Sequence, residues 1–254
     1  MTSSAGNARS PEASGKAGNA LFVKVRRIAE EVARPAASRV DKDACFPREA
    51  VSALREEKLL AAAIPVDLGG MGCPLGELAR FCAALGKACA STGMIFAMHQ
   101  MQIACIVRHC GTSAFFRDYL RDAADRQWLL ASGTSEAGIG GDLRSSIAAI
   151  DLAETDFKLS KSCTTLSYGE HADGILITAR HNPAAASGDQ SLALIRKEDY
   201  TLKKTGEWDA LGMRGTCSPP FNVSASAAAG QILPEPFRDI AIQTMIPETW
   251  ALKD

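Results

Sequence analysis

The stretch LLASGTSEAGIGGDLRSS, residues 129–146, marks the point where the sequence changes character. An apolar run leads into small hydroxyl residues and Glu136, which are followed by Gly138, Gly140, Gly141 and Asp142. Such a loop can offer backbone N–H groups and hydroxyls to a polar ring or a phosphate, because no bulky side chain blocks close approach. Taken alone, the stretch fits a glycine-rich β-turn equally well. It is neither a Rossmann fingerprint, since the spacing is not G-x-G-x-x-G, nor a Walker loop, since G-K-[ST] is missing.

Upstream of this stretch the apolar residues repeat every three or four positions, which predicts helices. Residues 21–125 are therefore predicted to form an all-helical domain. Residues 1–20 contain no Leu, Ile, Val or aromatic residue. They cannot bury enough apolar surface to offset the entropy lost on ordering, and a disordered tail is predicted there.

Downstream of Arg126, short apolar runs alternate with clusters of Gly, Asp, Asn and Pro, a pattern typical of antiparallel strands and their turns. Residues 126–233 are predicted to form an antiparallel β-barrel or sandwich. Pro234 and Pro236 mark a further boundary, after which residues 234–254 predict the start of another helical domain. The predicted fold class is α+β, with helices first, strands second and a third, helical part only begun.

The bulk composition excludes several classes of function. A formal charge of −1 argues against nucleic-acid binding or attachment to an anionic membrane, and no uninterrupted apolar run reaches the roughly 20 residues that a membrane span needs. The eight cysteines form no C-x-x-C pair and no zinc spacing, so no metal site is predicted. Free thiols without a secretory signal favour a reducing compartment, and a cytoplasmic protein is predicted. His99 lies in a strongly apolar helical stretch and is predicted to be a buried core histidine.

Three motifs in sequence order carry a resemblance to a known family. The first is the loop SEAGIGGD, residues 135–142. The second combines Lys161 with a segment from Ser167 to Ala172-Asp173, and the third is GMRGT, residues 212–216. Together they resemble the middle domain of the flavin-dependent acyl-CoA dehydrogenases. The helical front end resembles that family too, and the resemblance extends from about residue 21 to the end of the sequence.

The resemblance implies an FAD site and an acyl-CoA thioester as substrate. By motif position, the residues implied to bind the flavin are Ser132, Thr134, Ser135, Gly140, Gly141, Thr165 and Ser167, while Gly141 and Asp142 would lie near the acyl-CoA. Short neutral donors suit a ring that must exist in two redox states, because a fixed charge would favour one of them. The resemblance also implies an electron-transfer acceptor as partner and a homo-oligomer for the full-length form.

The sequence departs from the family pattern at three positions, two of which are among the implied flavin-binding residues. Ala137 replaces the usual Pro and leaves the loop less rigid, and Gly141 replaces a Ser, which removes one side-chain hydrogen bond. Thr165 stands where many members have an aromatic residue that stacks on the flavin.

No catalytic residue is assigned from the sequence. The family removes a proton next to the thioester with a general base, usually a Glu of the C-terminal helical domain. Glu248, just after Pro247, does not match that position, so a truncated form with impaired dehydrogenase activity is expected. Two alternatives stay open: a flavin-dependent monooxygenase or acyl-CoA oxidase of the same fold, and a non-enzymatic remnant or interaction scaffold.

Overall fold

The structure is a computed structural model that describes the chain from residue 11 to residue 253. Its first helix begins at Pro11, ten residues before the predicted boundary, so residues 11–20 are helical rather than part of a disordered tail. Extending a helix that is already formed costs far less than starting one, and Ala and Lys are strong helix formers. The predicted disorder of residues 1–10 concerns a segment outside the described residues.

Helices make up the front half of the chain, as predicted. They are α1 (Pro11–Ile28), α2 (Arg34–Lys42), α3 (Arg48–Glu56), α4 (Leu75–Ala88), α5 (Ala90–His109) and α6 (Ala114–Arg126). A π-helical turn, Ala29–Ala33, joins α1 to α2. The central helix of the block is α5, whose length and apolar composition would also allow a membrane span; 78% of its most apolar window is buried inside the molecule, as in the core helix of a folded domain.

Seven strands follow the helical block. They are β1 (Leu130–Gly133), β2 (Asp151–Leu152), β3 (Asp156–Cys163), β4 (Gly174–Arg180), β5 (Gln190–Arg196), β6 (Tyr200–Lys204) and β7 (Phe221–Ala228). They form a three-stranded sheet in the order β1-β4-β5 and a four-stranded sheet in the order β2-β3-β7-β6.

The predicted succession of a helical block and a largely antiparallel β region is confirmed, but the sheets do not close into a barrel. In addition, β1 pairs with β4 in parallel, with Leu130 opposite Gly174 and Gly133 opposite Ile177. A parallel pair needs a long connection, and here the chain passes through the whole of β2 and β3 before it returns to β1. Of the two predicted forms, barrel and sandwich, the structure has the sandwich, and it is open.

The two sheets differ in what covers them. Both faces of β4 and β5 are buried, whereas β3 and β7 alternate strictly between buried and exposed residues. One face of the first sheet, through Leu176 and Leu192, shares a buried cluster with Phe116 of α6. The second sheet therefore has one solvent-facing side, and the molecule is layered as helices, first sheet, second sheet.

The chain ends in a helix that returns to the helical block. It consists of α7 (Phe237–Ile240), a π-helical segment (Ala241–Met245) and α8 (Ile246–Lys253), and it is called here the C-terminal helix. Phe237 and Ile240 are buried against the first sheet and α6. This helix closes one side of the cavity described next.

Candidate functional site

A cavity of about 750 Å³ lies between α5, the end of β1 and the C-terminal helix. That volume is in the usual range for small-molecule sites. Its wall consists of Met98, Met101, Ser132, Thr134, Ser135, Leu143, Arg144, Thr165, Ser167, Gly188, Gln190, Phe237, Arg238, Ala241, Ile242, Met245, Ile246, Thr249, Trp250 and Lys253.

The structure brings together all five hydroxyl residues that the sequence predicted for the flavin. These are Ser132, Thr134, Ser135, Thr165 and Ser167, which come from two segments about thirty residues apart and line one wall. The other predicted positions, Gly140, Gly141 and Asp142, are not among the lining residues of this cavity. Their roles in binding remain predictions.

Ser135 holds the two hydroxyl-bearing segments together. Its Oγ donates a hydrogen bond to the carbonyl oxygen of Thr165 at 2.6 Å and accepts one from the backbone N–H of Thr165 at 3.1 Å. Because both bonds go to backbone atoms, the side chain of Thr165 is left free. The hydroxyl wall is thus fixed by hydrogen bonds at its base.

A relay of hydroxyls connects the cavity with the third motif. Ser218 Oγ donates to Ser167 Oγ at 2.9 Å and lies 2.8 Å from Thr216 Oγ1, which in turn donates to the carbonyl oxygen of Met213 at 2.9 Å. The sequence identified the GMRGT turn only as a motif. The structure shows that the turn supports Ser167 from behind through Ser218, a residue that the sequence analysis missed.

Glu136 organises the glycine-rich loop. Its buried carboxylate accepts hydrogen bonds from Ser146 Oγ at 2.6 Å and from the backbone N–H groups of Ile147 at 3.1 Å and Ala148 at 2.6 Å. The loop between Glu136 and Ala148 is thereby closed at its base. Three glycines with positive φ give it its tight turns, namely Gly138, Gly140 and Gly141.

Lys161 connects Glu136 to the first sheet. Its Nζ donates to the carbonyl oxygen and to Oγ1 of Thr178 at 2.7 and 2.8 Å and lies 3.6 Å from Glu136 Oε2. Burial lowers the pKa of the Lys161 ammonium, and the nearby carboxylate of Glu136 acts in the opposite direction. The motif residues Glu136 and Lys161 therefore act as a structural pair behind the cavity wall.

Gln190 is a wall residue without a sequence signal. It is 4% exposed, and its Nε2 donates to the carbonyl oxygen of Leu143 at 3.2 Å, while its Oε1 has no partner within the described part of the chain. A buried amide oxygen without a donor is costly, so a ligand that brings an N–H or O–H group would be favoured here. Its isolated position at the start of β5 explains why sequence patterns could not indicate it.

The charged residues of the wall are all cations. Arg144, Arg238 and Lys253 line the cavity, and no Asp or Glu of the described residues does so. The sequence carried one usable signal for two of them, since Arg238 and Lys253 belong to the same three-and-four spacing as Ile242, Met245 and Thr249. That periodicity places them on the helix face that lines the cavity.

The C-terminal helix is fixed to α5 by polar contacts. His109 Nε2 lies 2.8 Å from Thr244 Oγ1, and its Nδ1 lies 2.6 Å from Glu235 Oε2. Arg108 pairs with the buried carboxylate of Glu248 at 2.7 Å, and burial raises the pKa of that carboxyl. Glu248 does not line the cavity.

His99 is a buried core histidine, as predicted. It has no exposed surface; its Nε2 lies 2.8 Å from the carbonyl oxygen of Leu60, and its Nδ1 accepts the backbone N–H of Leu130 at 3.1 Å. Burial lowers the pKa of His99 to about 4. The neutral ring therefore joins the helical block to the first residue of β1.

A larger groove of about 950 Å³ runs over the solvent-facing side of the second sheet, where it is lined by serines such as Ser160 and Ser224. None of the residues predicted to bind cofactor or substrate borders it. Within residues 18–253, no group of three or more His, Cys, Asp or Glu side chains is placed to hold a metal ion.

A helical block, an open β sandwich and a hydroxyl-lined cavity between them make up the fold of the N-terminal and middle domains of acyl-CoA dehydrogenases. The butyryl-CoA dehydrogenase of Megasphaera elsdenii superimposes on 92% of this chain and 63% of its own length, with a TM-score of 0.78 and 16% identity. The dibenzothiophene monooxygenase TdsC of Paenibacillus sp. A11-2, in its FMN-bound structure, covers 85% of this chain and 54% of its own, with a TM-score of 0.76 and 21% identity.

Residues 18–127 match the family model described as "Acyl-CoA dehydrogenase, N-terminal domain". This match, together with the solved structures of the same fold, confirms the resemblance to the acyl-CoA dehydrogenase family that the motifs indicated. Among curated relatives, the cyclohex-1-ene-1-carbonyl-CoA dehydrogenase of Syntrophus aciditrophicus is 24% identical over 196 residues, which are 77% of this chain and 47% of the relative. The chain thus spans about half the length of this relative.

Proposed function

We propose that this chain binds a flavin, FAD in the first place, in the cavity beside the C-terminal helix and acts as the flavin-binding part of an oxidoreductase of acyl-CoA thioesters. One observation carries the proposal: the five hydroxyl residues predicted for the flavin meet at one wall of a single cavity that contains no carboxylate among the described residues. The match of residues 18–127 to the acyl-CoA dehydrogenase family model and the likeness to the flavin-bound TdsC support it.

The wall residues fit a flavin chemically. A bound flavin supplies the two-electron chemistry by accepting a hydride from the substrate. The hydroxyls of Thr134 and Ser167 would offer neutral hydrogen bonds that serve the oxidised and the reduced ring alike. The unpartnered Oε1 of Gln190 would accept a hydrogen bond from a ligand N–H or O–H group, and Met98 and Met101 provide an adaptable apolar surface.

What the described residues contribute to chemistry is binding and exclusion of water. Proton removal next to a thioester needs a base within hydrogen-bond reach of the substrate. No Asp or Glu of the described residues lines the cavity, and Glu248 is buried elsewhere against Arg108. We therefore assign no catalytic base among the described residues.

A flavin-dependent monooxygenase is the second candidate. The acid-free wall favours it, because hydroxylation by a flavin does not require removal of a proton next to a carbonyl group. The likeness to TdsC agrees with this alternative. The two candidates share the binding site and differ in the reaction that the bound flavin carries out.

The test is an absorbance spectrum of the purified chain after incubation with FAD and removal of free cofactor. A retained flavin band is expected, weakened in Ser167→Ala and Thr134→Val and unchanged in Ser224→Ala, a matched hydroxyl deletion on the far side of the second sheet. Bleaching by a medium-chain acyl-CoA without oxygen would identify the dehydrogenase, and NADH-dependent oxygen uptake with a flavin reductase would identify the monooxygenase. A chain that stays colourless would contradict both flavin-dependent functions and leave the non-enzymatic interaction scaffold as the remaining alternative.

A further inference from the structure

The cavity has a cationic end whose occupant is not explained by the hydroxyl wall. Arg144 and Arg238 both line the cavity, although they come from elements far apart in sequence. Arg144 lies in the loop closed by Glu136, and Arg238 lies in the first turn of the C-terminal helix. Two guanidinium groups with no carboxylate among the described lining residues make a surface that attracts an anion.

The loop and the C-terminal helix both lie against the end of the β4–β5 hairpin. Ser146 N–H donates to the carbonyl oxygen of Ser187 at 2.9 Å, and Leu143 accepts from Gln190 Nε2, which places Arg144 beside the hairpin. On the other side, Phe237 shares a buried cluster with Leu192 of β5. The loop that carries Arg144 and the helix turn that carries Arg238 therefore both contact this hairpin.

The hairpin leaves room for a close approach at this end. A methyl group placed on Gly188 would lie 3.3 Å from the carbonyl oxygen of Arg144, so a larger side chain would crowd the loop. Gly188 and Gln190 both line the cavity here. The unpartnered Gln190 Oε1 thus lies next to the cationic end and could accept a hydrogen bond from a hydroxyl group of a ligand that extends toward it.

The two arginines differ in how available they are. Arg144 Nε is paired with Asp142 Oδ1 at 2.9 Å, and that pairing holds the pKa of the Asp142 carboxyl below its usual value. The side chain of Arg238 has no ion pair or hydrogen bond with any other described residue in this structure. Arg238 is therefore the principal free cation at this end, and Arg144 becomes available only if a ligand competes with Asp142.

Lys253 lies at the opposite end of the same helix and provides an internal reference. It also lines the cavity, but fifteen residues of helix separate it from Arg238, which corresponds to about 22 Å along the axis. A single phosphate cannot touch both. Arg238 and Lys253 thus lie at opposite ends of one elongated cavity.

We propose that the end of the cavity bordered by Arg238 and Arg144 binds the phosphate group of the flavin. Gln190 Oε1 would accept a hydrogen bond from a hydroxyl of the ribityl group that joins the flavin ring to the phosphate. This inference rests on the proposed flavin function and goes further, since it assigns the residues that distinguish a phosphorylated flavin from an unphosphorylated one. Planar guanidinium groups suit phosphate because they can donate two parallel hydrogen bonds.

The test compares FMN with riboflavin, two ligands that differ by one phosphate group. The affinity of the full chain for each is measured by fluorescence quenching at low and at high salt. FMN is expected to bind at least about tenfold more tightly than riboflavin at low salt, as one charge-assisted contact would give, and this preference is expected to shrink at high salt. Arg238→Gln should remove most of the preference by weakening FMN and not riboflavin.

Two further variants make the test specific. Lys253→Gln should leave the ratio of the two affinities unchanged, because it lies far from the arginine end. Asp142→Asn should increase the ratio by releasing Arg144. Equal affinities for FMN and riboflavin, unaffected by salt or by Arg238→Gln, would overturn the phosphate site while leaving flavin binding intact. Failure of both ligands to bind would overturn the proposed function itself and this inference with it.

Discussion

His99 lies at the junction between the helical block and the first sheet, and it contributes through hydrogen bonding rather than charge. Its ring must stay neutral, because Nδ1 accepts the N–H of Leu130 and a protonated ring could not. The pKa of His99 is lowered to about 4 in the folded chain, against roughly 6.5 for an unperturbed imidazole. The unfolded chain therefore binds a proton at this residue between about pH 6.5 and 4, and the folded chain does not.

The free energy of unfolding is accordingly expected to fall as the pH is lowered through that window. The contribution of His99 amounts to about 3 kcal/mol when the window has been crossed. Chemical denaturation at several pH values measures it: His99→Gln should be less stable at pH 7 but lose less stability on acidification. His181→Gln, at an exposed histidine, is the control and should keep the profile of the unmodified chain. Parallel profiles for His99→Gln and the unmodified chain would contradict the assignment.

Glu136 and Lys161 form a buried ion pair, and the two partners differ in the other hydrogen bonds that they make. Glu136→Gln would leave the Lys161 ammonium buried without its countercharge, and a loss of about 3–5 kcal/mol in the free energy of unfolding is expected. Lys161→Met should cost less, because the carboxylate keeps three donors from Ser146, Ile147 and Ala148.

A double-mutant cycle measured by denaturant unfolding checks this pair. The double variant should be clearly more stable than the sum of the single losses implies. Lys158→Met, on the exposed face of the same strand, should change stability by no more than about 0.5 kcal/mol. Strict additivity of the two core substitutions would show that the pair is not coupled.

At the scale of elements, the helices α4 and α5 are joined by Cys89 alone, so they must pack closely from their first shared turn. A methyl group at Gly93 of α5 would lie 2.7 Å from both Cα and N of Gly86 in α4. Backbone atoms cannot move aside as a side chain can. Gly93→Ala is expected to destabilise the chain by about 1–3 kcal/mol through separation of the two helices.

The matched control for this helix pair is Gly76→Ala, near the start of α4, where a methyl group meets nothing within 4 Å. It should stabilise the chain by about 0.5–1 kcal/mol, because alanine loses less backbone entropy in a helix. Thermal unfolding monitored by circular dichroism distinguishes the two variants. Equal effects of the two substitutions would refute close packing at Gly93.

The strands show which part of an element the sequence determines. In β3 and β7 buried and exposed residues alternate with a two-residue period that the sequence largely displays, so most of their buried faces were predictable, but the buried Lys161 was not. The parallel pairing of β1 with β4 was not, because a short apolar run such as 129–131 has no preference for the direction of its partner. That choice depends on the long connection and on burial beneath α5.

The candidate site likewise contains residues that the sequence indicates and residues that it does not. The family resemblance named Ser132, Thr134, Ser135, Thr165 and Ser167 together, and the structure places them around one cavity, while their role in binding stays a prediction. Gln190 and Arg238 were not predictable, since each depends on how one element packs on another: the hairpin against the loop, and the C-terminal helix against β5. Sequence periodicity can select a helix face, but it does not show what that face encloses.

At the scale of the whole molecule, the cavity belongs to no single domain. Met98 and Met101 come from the helical block, the hydroxyl wall from the β region, and Arg238 to Lys253 from the C-terminal helix. A ligand that contacts all three parts binds the folded chain only in its assembled form. It should therefore stabilise the arrangement of the three parts and not merely the residues that it touches.

We expect FAD at one hundred times its dissociation constant to raise the free energy of unfolding by about 2.7 kcal/mol. For a chain of this size that corresponds to a rise in the melting temperature of roughly 5–10 °C. Hydrogen exchange should slow in the C-terminal helix and around β1 together, because opening either one would release the ligand. The amides of α6, Ala114–Arg126, lie outside the cavity wall and serve as the internal control. Protection limited to one wall, or a melting temperature that does not change with FAD concentration, would mean that the three parts do not close on a common ligand.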